Sequence, residues 1–339
     1  MKKILQLILF GVSSPSLFCQ EYELKNSTID VKSSFRAVSV VDDDVAWVGG
    51  SKGQVGRSRN GGKDWWFTQV KDFTTLEFRS VYAFDSLTVI LANAGAPASI
   101  LRTTDGGKNW QTVYQNENKE AFFDGLDFWD DKNGMVYGDP INGKMLVVAT
   151  HDGGSTWSEL PDSQRPELKT GEASFAASGT GIRCFDKKKI VITTGGKISR
   201  LWTSTDRGLT WNVAVLPIIQ DIESAGAFSS VWWKKNGVVV GGDYLHDAQT
   251  GKHVFYTTDR GKTWTLPMRP TRGLREAVEY LGNGKLIAIG PQGADLSIDD
   301  GMNWKPLSDE KGFHTLRKAR NGSLIVVAGD GKIGVIKKK

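Results

Sequence analysis

The sequence predicts an all-β protein, a seven-bladed β-propeller of four-stranded antiparallel blades whose ring is closed by the N-terminal strand. Short runs rich in Val, Ile, Thr and aromatic residues end at Gly, Asn or Asp throughout the chain, and its 339 residues include 39 glycines and 12 tryptophans. One eight-residue pattern occurs six times. Beyond the N-terminal segment, no stretch of ten or more residues has a sustained apolar stripe at helical spacing.

The repeated pattern is Ser/Thr-x-Asp-x-Gly-x-x-Trp, which we call the Asp box. A short polar side chain at its third position can bond the amides of a turn, and the glycine can take a positive φ. The tryptophan begins the next strand with a large apolar face suited to packing between sheets. Each box therefore closes a hairpin, and we expect its third residue to be structural. These residues are Asn60, Asp105, Asp152, Asp206, Asp259 and Asp299.

Three β-rich runs precede a box and one follows it, so each repeat predicts a four-stranded blade with the box between its third and fourth strands. After the sixth box the chain offers only three strands, at residues 313–319, 323–329 and 332–336. Residues 23–31 can supply the missing strand, and their pairing would remove both free sheet edges. We expect a single domain over residues 22–339.

The N-terminus predicts an export signal over residues 1–20. Two lysines precede a short apolar run and a small, polar stretch, which is typical of a segment cleaved near Cys19 to Glu21. The mature chain would then lie in the periplasm or outside the cell, without a transmembrane segment. An outer-membrane lipoprotein attached through Cys19 is the weaker alternative, because Leu17 and Phe18 stand where small residues are expected.

Composition argues against several kinds of ligand. The formal charge is +5 and the basic residues are dispersed, which does not indicate nucleic-acid binding. The histidines have no zinc spacing, the run 42–44 lacks the glycine and distal glutamate of a calcium loop, and no phosphate-binding glycine loop opens a helix. The sequence therefore predicts no metal and no cofactor. It does not indicate an oligomeric state.

The Asp-box spacing, the seven-blade count and the export signal resemble proteins related to the photosystem II stability and assembly factor, within the BNR or sialidase-like propeller group. The segments 138–140, 171–179 and 241–244 are similar to a non-photosynthetic bacterial branch of this family. The resemblance covers essentially the whole mature chain. It implies an exported propeller with a chaperone-like or binding role.

In a propeller the first strand of each blade lines the central channel, and ligands usually meet the face where these strands begin. Aligning the repeats at that point places one residue of every blade in a common slot, and loops between second and third strands reach the same face. The slot residues are Arg36, Arg79, Asp124, Ala173, Gly226, Glu276 and His314, and the loops add Asp139, Lys144, Arg200, Asp243, Tyr244 and His246.

This face is the candidate ligand site. The small slot residues Ala173 and Gly226 should leave a cleft beside Glu172. Its mixed charges allow two interpretations: a binding surface for a protein or glycan, or a ring of ion pairs that plugs the channel. The candidate ligand-binding residues are Arg36, Arg79, Asp124, Glu172, Arg200, Asp243, Tyr244, Arg275, Glu276 and His314.

The alternative function is a sialidase-like glycoside hydrolase on the same scaffold. Resemblance to sialidases implies an arginine cluster for a substrate carboxylate, a Tyr/Glu nucleophile pair and an Asp acid. The Arg-Ile-Pro segment that opens sialidase domains is missing from this chain, so the sequence favours a non-catalytic binding or assembly module. If there is an enzyme, the cluster comes from Arg36, Arg79, Arg200 or Arg275 and the catalytic groups from Glu172, Tyr244, Asp124 and Asp139.

Overall fold

The computed structural model describes residues 21–339, so the predicted export signal and Cys19 lie outside the described residues. Within that range the chain forms 29 strands and one short 3-10 helix, Asp162–Gln164. The strands are β1 (Tyr22–Asn26), β2 (Phe35–Val40), β3 (Ala46–Gly50), β4 (Gln54–Ser58), β5 (Trp66–Gln69), β6 (Glu77–Ala83), β7 (Val89–Ala94), β8 (Ala98–Thr103), β9 (Gln111–Asn116), β10 (Phe123–Phe128), β11 (Gly134–Ile141), β12 (Lys144–Thr150), β13 (Ser158–Glu159), β14 (Glu172–Ala173), β15 (Ile182–Phe185), β16 (Lys189–Thr193), β17 (Gly195–Gly196), β18 (Arg200–Ser204), β19 (Asn212–Val215), β20 (Ala225–Trp233), β21 (Asn236–Asp243), β22 (Val254–Thr257), β23 (Ala277–Gly282), β24 (Lys285–Gly290), β25 (Gly293–Ser297), β26 (Lys305–Ser308), β27 (Phe313–Lys318), β28 (Ile325–Gly329) and β29 (Lys332–Lys338).

These strands form seven antiparallel sheets, the blades of a propeller. Blades 1, 2, 3 and 6 are the meanders β2–β5, β6–β9, β10–β13 and β23–β26, and blade 4 comprises β15, β16, β18 and β19. Blade 5 is built on β20–β22, and blade 7 on β27–β29. The inner strands contact one another in sequence around the ring, and β27 of blade 7 contacts β2 of blade 1. The predicted seven-bladed all-β fold is confirmed.

The N-terminal strand completes the last blade, as predicted. β1 pairs with the C-terminal strand β29 over five residues, from Tyr22 opposite Lys338 to Asn26 opposite Gly334. The pairing strand is shorter than the predicted run 23–31. Because the two ends of the chain share one sheet, ring closure does not need a separate strand from another molecule.

Blade 5 departs from the common pattern at both of its edges. Its fourth strand is reduced to one bridge, in which Thr265 exchanges two backbone hydrogen bonds of 2.8 and 3.0 Å with Tyr256. At its inner edge the short hairpin partners β14 and β17 join the sheet through Gly195 opposite Gly226. The inner side of blade 5 is therefore where extra backbone enters the channel region.

The core lies between neighbouring blades. In one such cluster, Trp157 of the third Asp box packs with Ile90 and Ile100 of blade 2 and with Val148 of its own blade. All four side chains are less than a tenth exposed. The box tryptophan therefore lies between sheets. Burial of apolar surface at each such interface stabilises the fold by about 25 cal/mol per Å².

The Asp boxes close their turns through hydrogen bonds within the box. The Thr103 hydroxyl accepts a bond of 3.1 Å from the Gly107 N–H, while the Asp105 carboxylate accepts bonds from the N–H groups of Lys108 and Asn109. Bonds from Asn109, Thr103 and Lys108 together lower the pKa of Asp105 to about 2. The carboxylate is thus ionised at neutral pH and its acceptors are used inside the turn.

In the first box the amide and the carboxylate exchange positions relative to the second box. In the second box Asn109 donates its amide N–H to Asp105 at 2.8 Å. In the first box Asn60 is the donor, and its amide lies 2.7 Å from the carboxylate of Asp64. The departure of Asn60 from the pattern is therefore compensated four residues later, at the position where Asn109 stands in the second box.

Candidate functional site

Inner strands of five blades contain a β-bulge near their start. In β2 the register shifts between Phe35 and Ala37, and the same shift recurs in β6, β10, β20 and β27. A bulge leaves one residue unpaired and re-aims its side chain. We call the face where the inner strands begin the upper face, and the opposite one the lower face. The bulged residues are Arg36, Arg79, Asp124, Phe228 and His314.

The predicted slot was wrong in two blades. Ala173 belongs to β14, which pairs with β17, whereas the inner strand of blade 4 is β15, at Ile182–Phe185. In β20 the bulge lies at Phe228, two residues after the predicted Gly226. The alignment failed because residues between β14 and β15 leave the blade altogether, and no local pattern marks that departure.

Residues 174–181, which join β14 to β15, cross the central channel, and we call them the crossing segment. The Ser178 hydroxyl donates to the Glu276 carbonyl of blade 6 at 2.8 Å, and the Ser178 carbonyl accepts from the Thr315 hydroxyl of blade 7 at 2.9 Å. Seven of the eight residues of the segment are buried. The predicted cleft beside Glu172 is therefore filled by backbone, which is a correction to the sequence analysis.

Two of the predicted ligand-binding arginines hold this segment in place. Arg36 donates to the carbonyl of Ala177 and Arg79 to that of Ala176, each at 3.3 Å. Both arginines come from the bulges of blades 1 and 2, across the ring from blade 4. Their guanidinium groups therefore satisfy carbonyls that the crossing segment would otherwise bury without partners.

Ion pairs link the charged side chains around this segment. Glu276 lies 2.5 Å from His314 Nδ1 and 3.6 Å from Arg36 Nη1. Glu77 lies 2.9 Å from Arg79 and 3.8 Å from Arg36. The group contains three basic and three acidic side chains: Arg36, Arg79, His314, Glu77, Glu276 and Asp330.

His314 carries the titratable positive charge of this network. Burial opposes its charged form, but its hydrogen bond to Glu276 and the attraction of that carboxylate, with help from Asp330 at 3.0 Å, raise the pKa of His314 above its usual value. With His314 protonated, the network is electrically balanced. The geometry thus favours the self-neutralising arrangement among the two interpretations of this face.

Asp124 is buried close to Asp139 and Arg79. It is 1% exposed, and neither of its carboxyl oxygens has a hydrogen-bond partner among residues 21–339. Burial and the nearby Asp139 raise the pKa of Asp124 well above its usual value, against the opposing effect of Arg79. Burial likewise raises the pKa of Asp139, which accepts a bond from the Ser174 N–H at 3.1 Å. Asp124 is therefore enclosed, whereas Asp139 beside it is partly exposed.

Glu172, a candidate catalytic residue, is bonded on all sides. Its carboxylate pairs with Arg200, whose Nε lies 2.8 Å away, and accepts bonds from the Thr194 hydroxyl at 2.6 Å and the Trp202 indole at 3.1 Å. The side chain of Glu172 is 0% exposed and that of Arg200 is 7% exposed. A carboxylate in this setting anchors the start of the crossing segment, and it has no free oxygen to present to a substrate.

The structure also does not support Arg275 as a ligand-binding residue. It is fully buried, and it forms an ion pair with Asp295, whose carboxylate lies 2.9 Å from Arg275 Nε. Asp295 is shared with the more exposed Arg272 at 2.8 Å. Arg275 therefore connects the segment before β23 to β25 within blade 6, and its burial keeps it away from solvent.

The loop after β21 carries the exposed part of the upper face. Asp243 is buried and accepts bonds from the Leu245 N–H at 2.9 Å and from His246 at 2.7 Å, which fixes the loop. Tyr244 is 51% and Leu245 is 68% exposed, and Ile222 in the adjoining loop is 43% exposed. The Tyr244 N–H bonds the Ser224 carbonyl and ties the two loops together. We call Ile222, Tyr244 and Leu245 the apolar ridge.

Phe175 connects the apolar ridge to the crossing segment. Its ring stacks on Phe228 at 4.1 Å between centroids and meets Tyr244 edge-on at 6.0 Å. Glu172, Asp124 and Tyr244 therefore have different neighbours: Arg200, Asp139 and Phe175, respectively. Among residues 21–339, no hydrogen bond, ion pair or ring contact joins Glu172, Tyr244 and the two aspartates, so the structure does not link the four candidate catalytic residues into one contact network.

The sequence analysis missed a cavity at the lower face. It has a volume of about 250 Å³ and is lined by the ends of the inner strands of all seven blades. A signal for it exists three residues beyond the bulges, where Tyr82, Asp127 and Arg317 stand. Aligning the inner strands three residues after the bulge, in addition to the bulge itself, would have identified these polar residues.

Two further observations concern the part of the chain that is described. No group of three or more His, Cys, Asp or Glu side chains within residues 21–339 is arranged to hold a metal ion. Over the same range, no helix is both long and apolar enough to cross a lipid bilayer.

Comparison with known proteins agrees with the Asp-box pattern. A family model described as "Photosynthesis system II assembly factor YCF48" matches residues 93–241, and a model described as "BNR/Asp-box repeat" matches residues 255–266. The first match runs from β7 in blade 2 to β21 in blade 5. No curated protein matches the chain in sequence. The resemblance found in the sequence is confirmed at the level of this family.

Solved structures show the same architecture. YCF48 from Cyanidioschyzon merolae superposes with a TM-score of 0.68 at 15% identity, covering 92% of this chain and 98% of that chain. A structure of YCF48 bound to D1 peptide gives 0.64 at 15% identity, covering 94% and 97%. The GH74 xyloglucanase from Xanthomonas campestris gives 0.56 at 15% identity, covering 92% of this chain and 53% of the enzyme. At these identities the likeness is one of fold.

Proposed function

We propose that this chain, a YCF48-like Asp-box β-propeller, is a non-catalytic module that binds a protein partner at its upper face. One observation supports the proposal above others: the crossing segment, residues 174–181, closes the channel with buried backbone. The upper face is thereby filled at its centre, where an open channel would offer a cleft. Small-molecule and sugar-cleaving sites are typically concave, whereas protein interfaces are broad.

The apolar ridge gives this surface a protein-binding character. Ile222, Tyr244 and Leu245 are all more than two-fifths exposed and lie in two loops that a backbone hydrogen bond joins. Contiguous exposed apolar side chains beside charged ones are typical of protein interaction sites. The bond between Asp243 and the Leu245 N–H also fixes the loop backbone, so little backbone order has to be gained on binding.

The comparison structure of YCF48 bound to D1 peptide agrees with this proposal, since it shows a related propeller holding a peptide. A glycan ligand is less well supported, because the ridge offers aliphatic side chains beside Tyr244 in place of a flat aromatic platform. The hydrolase alternative is not favoured, because Glu172 is fully bonded to Arg200, Thr194 and Trp202.

Affinity capture from extracts of the source cells tests the proposal with two matched variants. L245R places a charge on the ridge, and L209R places the same charge on a 56% exposed leucine in the fourth Asp box. Recovery of the partner should fall about tenfold or more with L245R, since interface centres carry most of the binding energy. It should stay at the wild-type level with L209R.

Equal recovery with L245R and L209R would contradict the proposed surface. A glycoside panel addresses the alternative, because turnover by the wild type that is lost in E172Q with the fold intact would identify an enzyme.

We also propose that the chain is exported to the periplasm or beyond, on the pattern of its first 20 residues. The intact mass of the mature protein, purified from its own cells, measures this directly. A mass that begins near Glu21 supports export, and one that includes Met1 contradicts it.

A further inference from the structure

The lower face differs from the upper face in having a cavity where the channel ends. The cavity has a volume of about 250 Å³, and Arg317 in its wall connects it to the crossing segment by donating to the carbonyl of Gly179 at 3.3 Å. Arg320, another lining residue, is exposed to solvent, so the cavity can be reached from outside.

Four basic side chains and two acidic ones line this cavity: Arg183, Arg317, Lys318, Arg320, Asp127 and Glu279. Only one ion pair connects them, between Arg183 and Glu279 at 3.0 Å. Among residues 21–339, Arg317, Lys318 and Arg320 have no carboxylate within 4.0 Å. The cavity therefore carries a surplus of positive charge.

The two acidic side chains are directed into the protein. Asp127 accepts bonds from the N–H groups of Cys184 at 2.8 Å and of Phe128 at 3.0 Å. Glu279 accepts from Arg183, which also donates to the carbonyls of Ser230 and Val278. These carboxylates thus use their acceptors on the wall, and the space between the walls faces mainly cationic groups.

Arg320 is held in place by the fold. Its guanidinium lies 4.4 Å from the centre of the Tyr82 ring and donates to the Ser39 hydroxyl at 3.2 Å and to the Ala83 carbonyl. A guanidinium stacked on an aromatic ring is pre-organised for a planar anion, and less side-chain freedom is lost when it binds one.

The remaining walls are aromatic and apolar. Phe128, Phe185 and Trp232 line the cavity with Tyr82. A site that combines fixed cationic donors with aromatic walls suits an anion attached to an apolar group. Its volume lies below the range of about 300–1,000 Å³ for drug-sized ligands, so the group it takes is small.

We propose that the lower cavity is a binding site for a carboxylate on a small apolar or aromatic group. Arg320, Arg317 and Lys318 supply the positive charge, and the aromatic walls enclose the apolar part. The carboxylate can belong to a free organic acid or to the C-terminal residue of a peptide. The site is on the opposite face from the apolar ridge, so this inference stands or falls independently of the proposed function.

Calorimetric titration with 3-phenylpropionate and with its uncharged amide tests the proposal. The acid should bind and the amide should not. R320Q should weaken binding by about tenfold to a hundredfold, as expected for a charge-assisted hydrogen bond. K318Q should weaken it less, and R59Q, which changes an exposed arginine in the first Asp box, should leave it unchanged.

Two peptides that end in phenylalanine, one with a free carboxylate and one amidated, distinguish the source of the group. Binding of the free-carboxylate peptide, lost in R320Q, identifies a chain end, whereas binding of phenylpropionate alone identifies a free acid. If R320Q does not fold, K318Q and the acid-to-amide comparison still decide. Equal binding of acid and amide, or no binding at millimolar concentration, overturns the proposal.

Discussion

The two ends of the central channel are built from the same seven strands and have opposite properties. At the upper face, three basic and three acidic side chains pair with one another, and the crossing segment fills the space among them. At the lower face, Arg317, Lys318 and Arg320 surround a cavity without carboxylate partners within salt-bridge distance in the described chain. The upper end is closed and neutral, and the lower end is open and positive.

This difference shows that the channel is asymmetric because of one insertion. Arg36 and Arg79 donate to the carbonyls of Ala177 and Ala176, so the crossing segment already binds these two cations at the upper end. From the lower side, Arg317 donates to the carbonyl of Gly179 in this segment. Arg320 and Lys318 at the lower face also donate to carbonyls, those of Ala83 and Gly322. The two ends therefore differ in carboxylate pairing and in the filling of the channel.

The largest expected effect is a difference in stability loss when a carboxylate is removed from the upper end or from the lower end of the channel. E172A should destabilise the protein by about 3–5 kcal/mol, because it leaves Arg200 buried without its partner. E279A should cost only about 1–2 kcal/mol, because Arg183 keeps its bonds to the carbonyls of Ser230 and Val278. Urea unfolding of both variants measures the difference.

The double variant E172A/R200L controls for loss of the ion pair itself. It should recover much of the stability lost in E172A, since no unpaired charge remains buried. Similar losses in E172A and E279A would show that the two ends of the channel are equally tolerant, and the contrast between them would fail.

A smaller effect concerns the close packing of the crossing segment. Gly179 has φ of +65°, and a Cβ there would lie 2.8 Å from the Arg79 carbonyl oxygen. Gly331, in the turn between β28 and β29, has φ of +64° with no heavy atom within 4 Å of such a Cβ. G331A should cost about 1–2 kcal/mol for the backbone conformation alone.

G179A should cost about 1–3 kcal/mol more than G331A, because the added methyl group overpacks the channel. Thermal unfolding of the two variants under the same conditions gives the comparison. Equal melting temperatures would mean that the crossing segment can move away from Arg79, and that the upper end is less firmly closed than its contacts indicate.

The fold was predictable because its signals are local and repeated. Each Asp box carries its own turn chemistry, and even the exception at Asn60 is compensated within the box by Asp64. The pairing of β1 with β29 followed from a blade that lacked one strand. Predicting such features requires only the neighbouring residues in the sequence or a count of the repeats.

The site was less predictable because it depends on a path that is not repeated. Residues 174–181 are mostly small, as in many loops, and contacts across the ring such as those with Glu276 and Thr315 give them their position. One indication was present: 54 residues separate the starts of the third and fourth boxes, against 45 between the first and second. The extra length shows that something is inserted, but it does not show where the chain goes.

The smallest expected effect is a pH dependence specific to the upper end. Burial and Arg36 lower the pKa of His314, but Glu276 and Asp330 outweigh them and raise this pKa above its ordinary value of 6.5. A raised pKa in the folded state stabilises the protein below the unfolded-state pKa, and this contribution disappears as the pH rises through the folded-state value. This contribution is therefore complete below the ordinary histidine pKa of 6.5 and decreases as the pH rises above it.

The H314Q variant should lose this component of the pH profile, and E276Q should reduce it, because Glu276 supplies the largest favourable interaction with the imidazolium. Urea unfolding of each protein at one pH below 6.5 and at one pH above it measures the change in the free energy of unfolding. Since no histidine lines the lower cavity, the R320Q variant should keep the wild-type difference. A profile that H314Q leaves unaltered would show that the closed, neutral character of the upper face does not depend on protonation of His314.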